Sequence, residues 1–119
     1  MEKQEKTRSV KNITRALEFV NAMRNIDDTL DTSSFGIFLL VCSKEGISND
    51  DIISYFGNMH KARVSRGVHV LCKTSRYRKE QDGSGLLYQK IDPQDFRKRS
   101  LFLTAKGKNV RDKLSKLLG

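Results

Sequence analysis

The stretch 48-SNDDIISYFGNMH-60 begins one helix, ends it after roughly two turns and begins another. Ser48 followed three residues later by Asp51 resembles a capping box, and Asp50 and Asp51 suit the positive end of a helix dipole. Gly57 stops the helix and Asn58 offers a cap for the one that follows. Two short helices joined by a tight Gly-Asn turn, the first apolar enough to pack, predict a helix-turn-helix. The second helix, expected over 59–73, has two faces. Val64, Gly67, Val68 and Leu71 cluster on one; Ala62, Ser65, Arg66, His69 and Lys73 fall on the other at about 100° per residue. Two small residues beside a long Arg66 allow a close approach to a groove while still reaching a base edge or a phosphate.

The rest of the chain supplies what such a motif needs. Over 8–30, Val10, Ile13, Leu17 and Val20 recur at helical spacing, and Ala16, Phe19, Met23 and Ile26 widen the stripe to more than one packing surface. The run 35-FGIFLLVC-42 is apolar all round; the caps offered by Asp31-Thr32-Ser33-Ser34 and the stop at Lys44-Glu45-Gly46 decide for a buried helix. Residues 74–85, TSRYRKEQDGSG, lack periodicity and read as a basic, flexible loop. Alternation predicts strands over 86–91 and 99–104, joined through Asp92 to Lys98, and a last helix over 105–118 with Val110, Leu114, Leu117 and Leu118 as its apolar stripe. The expected class is mainly α with a small β-hairpin (α+β), a winged helix-turn-helix in a single domain: 8–30 as an N-terminal helix, 31–104 as the core, 105–118 as the C-terminal helix.

Charge singles out the partner. Residues 1–57 hold 7 Lys and Arg against 9 Asp and Glu, while residues 58–119 hold 16 against 5, so the net +9 comes from the second half. A surface of that kind attracts polyanions, nucleic acid first and an anionic membrane second; a solvated basic face kept for solubility is the plainer alternative. Arg97, Lys98 and Arg99 stand in a row on the predicted hairpin, with Asp95 beside them.

The segment 92-DPQDFRKRSLFLTAKG-107 resembles the wing signature of the MarR (multiple-antibiotic-resistance regulator) family, an Asp-x-Arg followed by a Leu-Thr-x-x-Gly helix start, here Asp95, Arg97, Leu103, Thr104 and Gly107. Arg63-Val64-Ser65-Arg66 resembles the small-hydroxyl-then-Arg pattern of that family's recognition helix. The likeness spans about residues 31–115. It implies a regulator that binds double-stranded DNA, with Ser65 and Arg66 reading the major groove, Arg97 entering the minor groove and Asp95 orienting it. A narrow minor groove concentrates negative potential, which suits an inserted Arg. The alternative for Asp95 and Arg97 is an exposed ion pair in a turn. The candidate contacts are Lys61, Ala62, Arg63, Ser65, Arg66, His69 and Lys73 on the helix and Asp95, Arg97, Lys98 and Arg99 on the wing. Two departures stand out: roughly ten extra residues, Thr74–Gly85, precede the first wing strand, and the chain stops near Gly119, so the long C-terminal helices that dimerise typical members are missing or reduced. A homodimer is expected through helices 8–30 and 105–118. The family's small phenolic or lipophilic effectors would find less wall here, and no strong effector site is expected.

Enzyme readings find no support. His60 and His69, nine apart, share no helix face and make no metal pair. Ala105-Lys106-Gly107-Lys108 lacks the glycine-rich run of a phosphate loop. Tyr55, Tyr77 and Tyr88 are too scattered for a stacking platform. Cys42 and Cys72 form no disulfide framework, no cofactor is implied, and neither an export signal nor a membrane span is evident, which fits a cytoplasmic protein. Two alternatives to sequence-specific regulation stay open: a winged helix that binds nucleic acid with little sequence readout in replication, packaging or RNA binding, and one that binds protein alone.

Overall fold

The computed structural model describes the backbone over residues 2–57, 59–72 and 83–119, with side chains from residue 7 onward. Five helices and one hairpin follow in the order α1 (Glu2–Ile26), α2 (Thr32–Ser43), α3 (Asn49–Tyr55), α4 (Lys61–Leu71), β1 (Leu87–Asp92), β2 (Asp95–Leu103) and α5 (Ala105–Leu118). The fold is the winged helix-turn-helix that the sequence predicts.

Polar caps set the helix starts. The Asp31 carboxylate accepts from the Ser34 N–H at 2.8 Å at the head of α2, and the Ser48 hydroxyl accepts from the Asp51 N–H at 3.1 Å at the head of α3. Each satisfies one of the N–H groups that a helix leaves without an internal partner. Gly57, at φ +67°, closes α3 as expected. α1 runs from residue 2 instead of 8 and ends at Ile26 instead of 30. Asp27 ends it, because its carboxylate takes the Thr29 N–H at 3.0 Å and the Thr29 hydroxyl at 2.6 Å, a local turn that competes with the helix. α4 is shorter than the expected 59–73. His60 is its cap, with Nδ1 accepting from the Ala62 N–H at 3.1 Å. The cap assigned to Asn58 falls outside the described residues.

The helices bury one shared core. Ile37, Phe38 and Val41 of α2, Ile52 of α3 and Val64, Val68 and Leu71 of α4 meet Leu86, Leu87, Leu101 and Leu103 at the wing's base and Val110 and Leu114 of α5. A side chain of this size, fully buried, contributes about 1.5–3 kcal/mol. α1 joins through Met23, which is fully buried, and lies along α5. The two halves of its wide stripe therefore part company. Phe19, Ala22, Met23 and Ile26 pack on the core, while Val10, Ile13, Leu17 and Val20 are 44–72% exposed.

The hairpin departs from expectation at its tip. β2 begins at Asp95, so the turn is only Pro93-Gln94, closed by Asp92 Oδ1 accepting from the Gln94 N–H at 2.9 Å. Pairing runs from Leu87↔Leu103 to Ile91↔Arg99 and then jumps to Asp92↔Asp95, which leaves 96–98 without partners on β1. Arg97 and Lys98 thus stand on the unpaired part of β2, and Arg99 on the first regular pair behind it. Residues 46–48 also pair with β2, through Gly46 N–H to Leu101 O at 2.8 Å and Leu101 N–H to Ile47 O at 3.0 Å, tying the wing to the end of α2.

Candidate nucleic-acid interface

The apolar face of α4 faces the core and turns the rest of the helix outward as a ridge. Val64, Gly67, Val68 and Leu71 are buried; Lys61, Ala62, Arg63 and Arg66 are exposed, and Ser65 and His69 are half-buried. A groove runs along each flank of the ridge. One, of about 620 Å³, lies against the start of α2 and is lined by Ala62, Arg63, Arg66, Thr29, Asp31 and the hydroxyl-bearing residues 32–34. The other, of about 770 Å³, lies between α4 and the wing and is lined by Lys61, Ser65, His69, Asn49 and Asp95 to Arg99. The candidate residues are thereby brought together, divided between the two flanks, except Lys73, which lies outside the described residues, as do 74–82 of the expected loop.

The wing's side chains are held to different degrees. Arg97 is 94% exposed; its Nε sits 3.5 Å from Asp95 Oδ1, while its backbone N–H donates to the same oxygen at 3.1 Å. A long, exposed ion pair contributes little stability. The shorter bond is to the backbone, so Asp95 fixes the path of the chain at Arg97 more firmly than it fixes the guanidinium. Arg99 is half-buried and its Nη1 donates to Gln89 Oε1 at 3.4 Å. Lys98 is exposed.

The Leu-Thr-x-x-Gly half of the signature has a purely structural explanation. The Thr104 hydroxyl caps α5 by accepting from the Gly107 N–H at 3.0 Å and donates to Gly85 O at 2.6 Å. Thr104 N–H donates to Leu86 O at 3.1 Å. That same carbonyl lies 2.2 Å from where a Cβ on residue 107 would sit, so only glycine lets the helix approach the strand this closely. Glu45 Oε1 accepts from the Leu103 N–H at 3.0 Å beside it. These contacts fix the wing's base against α5 and the end of α2.

The cysteines are free and half-buried. Burial pushes the Cys42 thiol up to about 11, against the pull of Arg111; burial also raises Cys72, opposed by a hydrogen bond with the Gln89 side chain. Thiolate chemistry near neutral pH is disfavoured at both. Among the described residues no group of three or more His, Cys, Asp or Glu is placed to hold a metal ion, and no helix is long and apolar enough to cross a membrane. Sequence reasoning missed Phe96 and Asn49 as groove-lining residues: an aromatic among cations and a polar helix start carry no spacing signal.

No family model and no curated protein matches the sequence. Solved structures do match the fold. The transcriptional regulator Tm0710 from Thermotoga maritima aligns with a TM-score of 0.66 at 19% identity, over 99% of this chain and 74% of that one. MepR from S. aureus, solved in complex with DNA, gives 0.64 at 16% identity, over 96% and 81%. A MarR transcriptional regulator from Methanosarcina mazei Go1 gives 0.61 at 17% identity, over 98% and 75%. The protein has a winged helix-turn-helix fold. More narrowly, it is the MarR-like form of that fold, with a helix ahead of the core and another after the wing.

Proposed function

We propose that this chain is a regulator that binds double-stranded DNA in a sequence-specific manner, with α4 in the major groove and residues 92–99 on the minor groove. The observation that carries this reading is the ridge of α4: small and basic side chains on its outer face, with the wing's cations across one flanking groove. A major groove about 12 Å across admits an α-helix, and the small Ala62 and Ser65 let the helix sit deep enough for Arg66 to reach base edges. The wing's Arg97 and Lys98 then follow the backbone and the neighbouring minor groove, where an inserted Arg meets concentrated negative potential. Arg63, exposed beside the groove at the head of α2, is placed to meet the backbone phosphates that flank the bases Arg66 reads. The fold it shares with MepR, solved in complex with DNA, supports the same reading.

The working form in this reading is a homodimer joined through α1 and α5. Val10, Ile13, Leu17 and Val20 on α1 and Leu118 on α5 are exposed apolar side chains on two helices that pack together, and a second copy would cover them. A small-molecule effector is no part of the reading; both grooves are lined largely by polar side chains, which suit a charged strand better than a lipophilic ligand. Selection of bound fragments from random duplex DNA, read by sequencing, tests the proposal. A pseudo-palindrome with two half-sites is the expected outcome. Tight binding with a flat sequence profile would favour the low-specificity winged helix, and no binding would favour a protein partner.

A further inference from the structure

Phe96 is the most exposed large apolar side chain among the described residues, at 75%. The other aromatic of β2, Phe102, has company: it stacks on Tyr88 at 5.5 Å, with Lys90 Nζ 4.7 Å from its ring centre. Phe96 lies instead in the three-residue segment without partners on β1, on the groove shared with Ser65 and His69, and is followed directly by Arg97 and Lys98. Its backbone is nonetheless held from both sides. Asp92 Oδ1 fixes the turn before it and Asp95 Oδ1 accepts from the Arg97 N–H after it. A rigid ring presented to water from a braced backbone, beside a 94% exposed Arg97, adds nothing to the core. It matches a ligand that offers an apolar stack flanked by phosphates, and a base step of a duplex is such a ligand.

We propose that Phe96 is an apolar wedge that enters the minor groove beside Arg97 and partly unstacks one base step, bending the duplex around α4 and the wing. The proposal rests on the DNA-binding reading above. The flexible pyrimidine–purine steps give way most easily, so the wedge adds a preference at a position that no side chain reads by hydrogen bonding. An apolar contact releases no counterions, which separates it from its cationic neighbours.

The test measures affinity, salt dependence and bend angle on the duplex selected from the random pool, with 2-aminopurine placed along the wing's half of each half-site. Phe96→Ala is expected to bind about tenfold more weakly with an unchanged salt slope, a smaller bend, and loss of the fluorescence rise at one step. Phe96→Leu, still an apolar wedge, is expected to keep most of the bend. Weakened binding by Lys98→Ala, together with a bend and fluorescence unchanged in Phe96→Ala, overturns the wedge and leaves the DNA-binding reading standing. So does a loss of affinity in Phe96→Ala with the bend intact, which would put the ring on a sugar edge or another protein. Failure of the unmodified protein to bind any duplex overturns both.

Discussion

Arg66 and Lys98 lie on opposite flanks of the ridge, one at the helix and one on the wing, and the two are expected to fail differently. Arg66→Ala should weaken the selected site by about 1–3 kcal/mol, the value of one good base contact, while random DNA loses much less. Lys98→Ala should weaken both alike and flatten the plot of log affinity against log salt by about 0.9 for the lost phosphate contact. Titrations at three salt concentrations on both duplexes separate the two; an unchanged specific-to-random ratio in Arg66→Ala would mean that α4 does not read bases. Cys42 gives a prediction in pH. Its thiol keeps its proton to about 11 in the folded state, against an ordinary 9.0. As pH rises through that interval the unfolded chain loses a proton that the folded one holds, so stability falls. Thermal melts at pH 8 and 10 should show a steeper fall for the unaltered chain than for Cys42→Ala. At this scale the sequence was legible where a side chain's job is local. Asp31, Ser48 and the four buried residues of α4 follow from spacing alone. The cap by His60 was not legible, because imidazole is an uncommon cap and Asn58 a common one.

The wing is an element aimed from its base. Thr104 and Gly107 hold it to α5 through Gly85 O and Leu86 O, so their substitution should be felt as lost stability, not as a lost contact with DNA. Gly107→Ala forces a methyl group onto a backbone carbonyl and should cost roughly 3 kcal/mol, the upper end for overpacking. Thr104→Ala removes the α5 cap, worth about 1 kcal/mol, and leaves Gly85 O short of a donor, whereas Thr104→Ser keeps both bonds and should cost little. Denaturant titrations of the three variants check the order Gly107→Ala, Thr104→Ala, Thr104→Ser. The signature's second half was therefore readable as a motif but not as a reason; the reason needs the approach of Leu86, which is distant in sequence. The hairpin's existence was legible from alternation, and its reach was not. Residues 96–98 have no partners on β1 and no alternation, so a strand read from alternation starts four residues late. The pairing of residues 46–48 with β2 is a long-range contact across a stretch too short to show a period.

At the scale of the molecule, the stripe on α1 divides between inside and outside, and that division sharpens the test of assembly. Removing residues 1–25 would take away the buried Met23 along with the exposed stripe and confound folding with association. Ile13→Asp with Leu17→Asp alters only exposed positions, 72% and 59%. Sedimentation at micromolar concentration should show a dimer for the unaltered chain and a monomer of similar melting behaviour for the double variant; a monomeric unaltered chain would overturn the homodimer. The expectation of a homodimer rests on an excess of apolar residues, and a stripe does not by itself say which half faces the core. One consequence concerns the tail of α4 and the foot of the wing. Ser84 N–H donates to Val70 O at 2.9 Å and Leu86 N–H to Leu71 O at 2.8 Å, and a Cβ on Gly83 would collide with the Cys72 carbonyl. The end of α4 and the foot of the wing are thus stitched side to side by main-chain bonds between residues 70–71 and 84–86. The pitch between α4 and the wing is set by that seam, so in the DNA-binding reading the spacing offered to a duplex does not depend on the length or composition of residues 73–82.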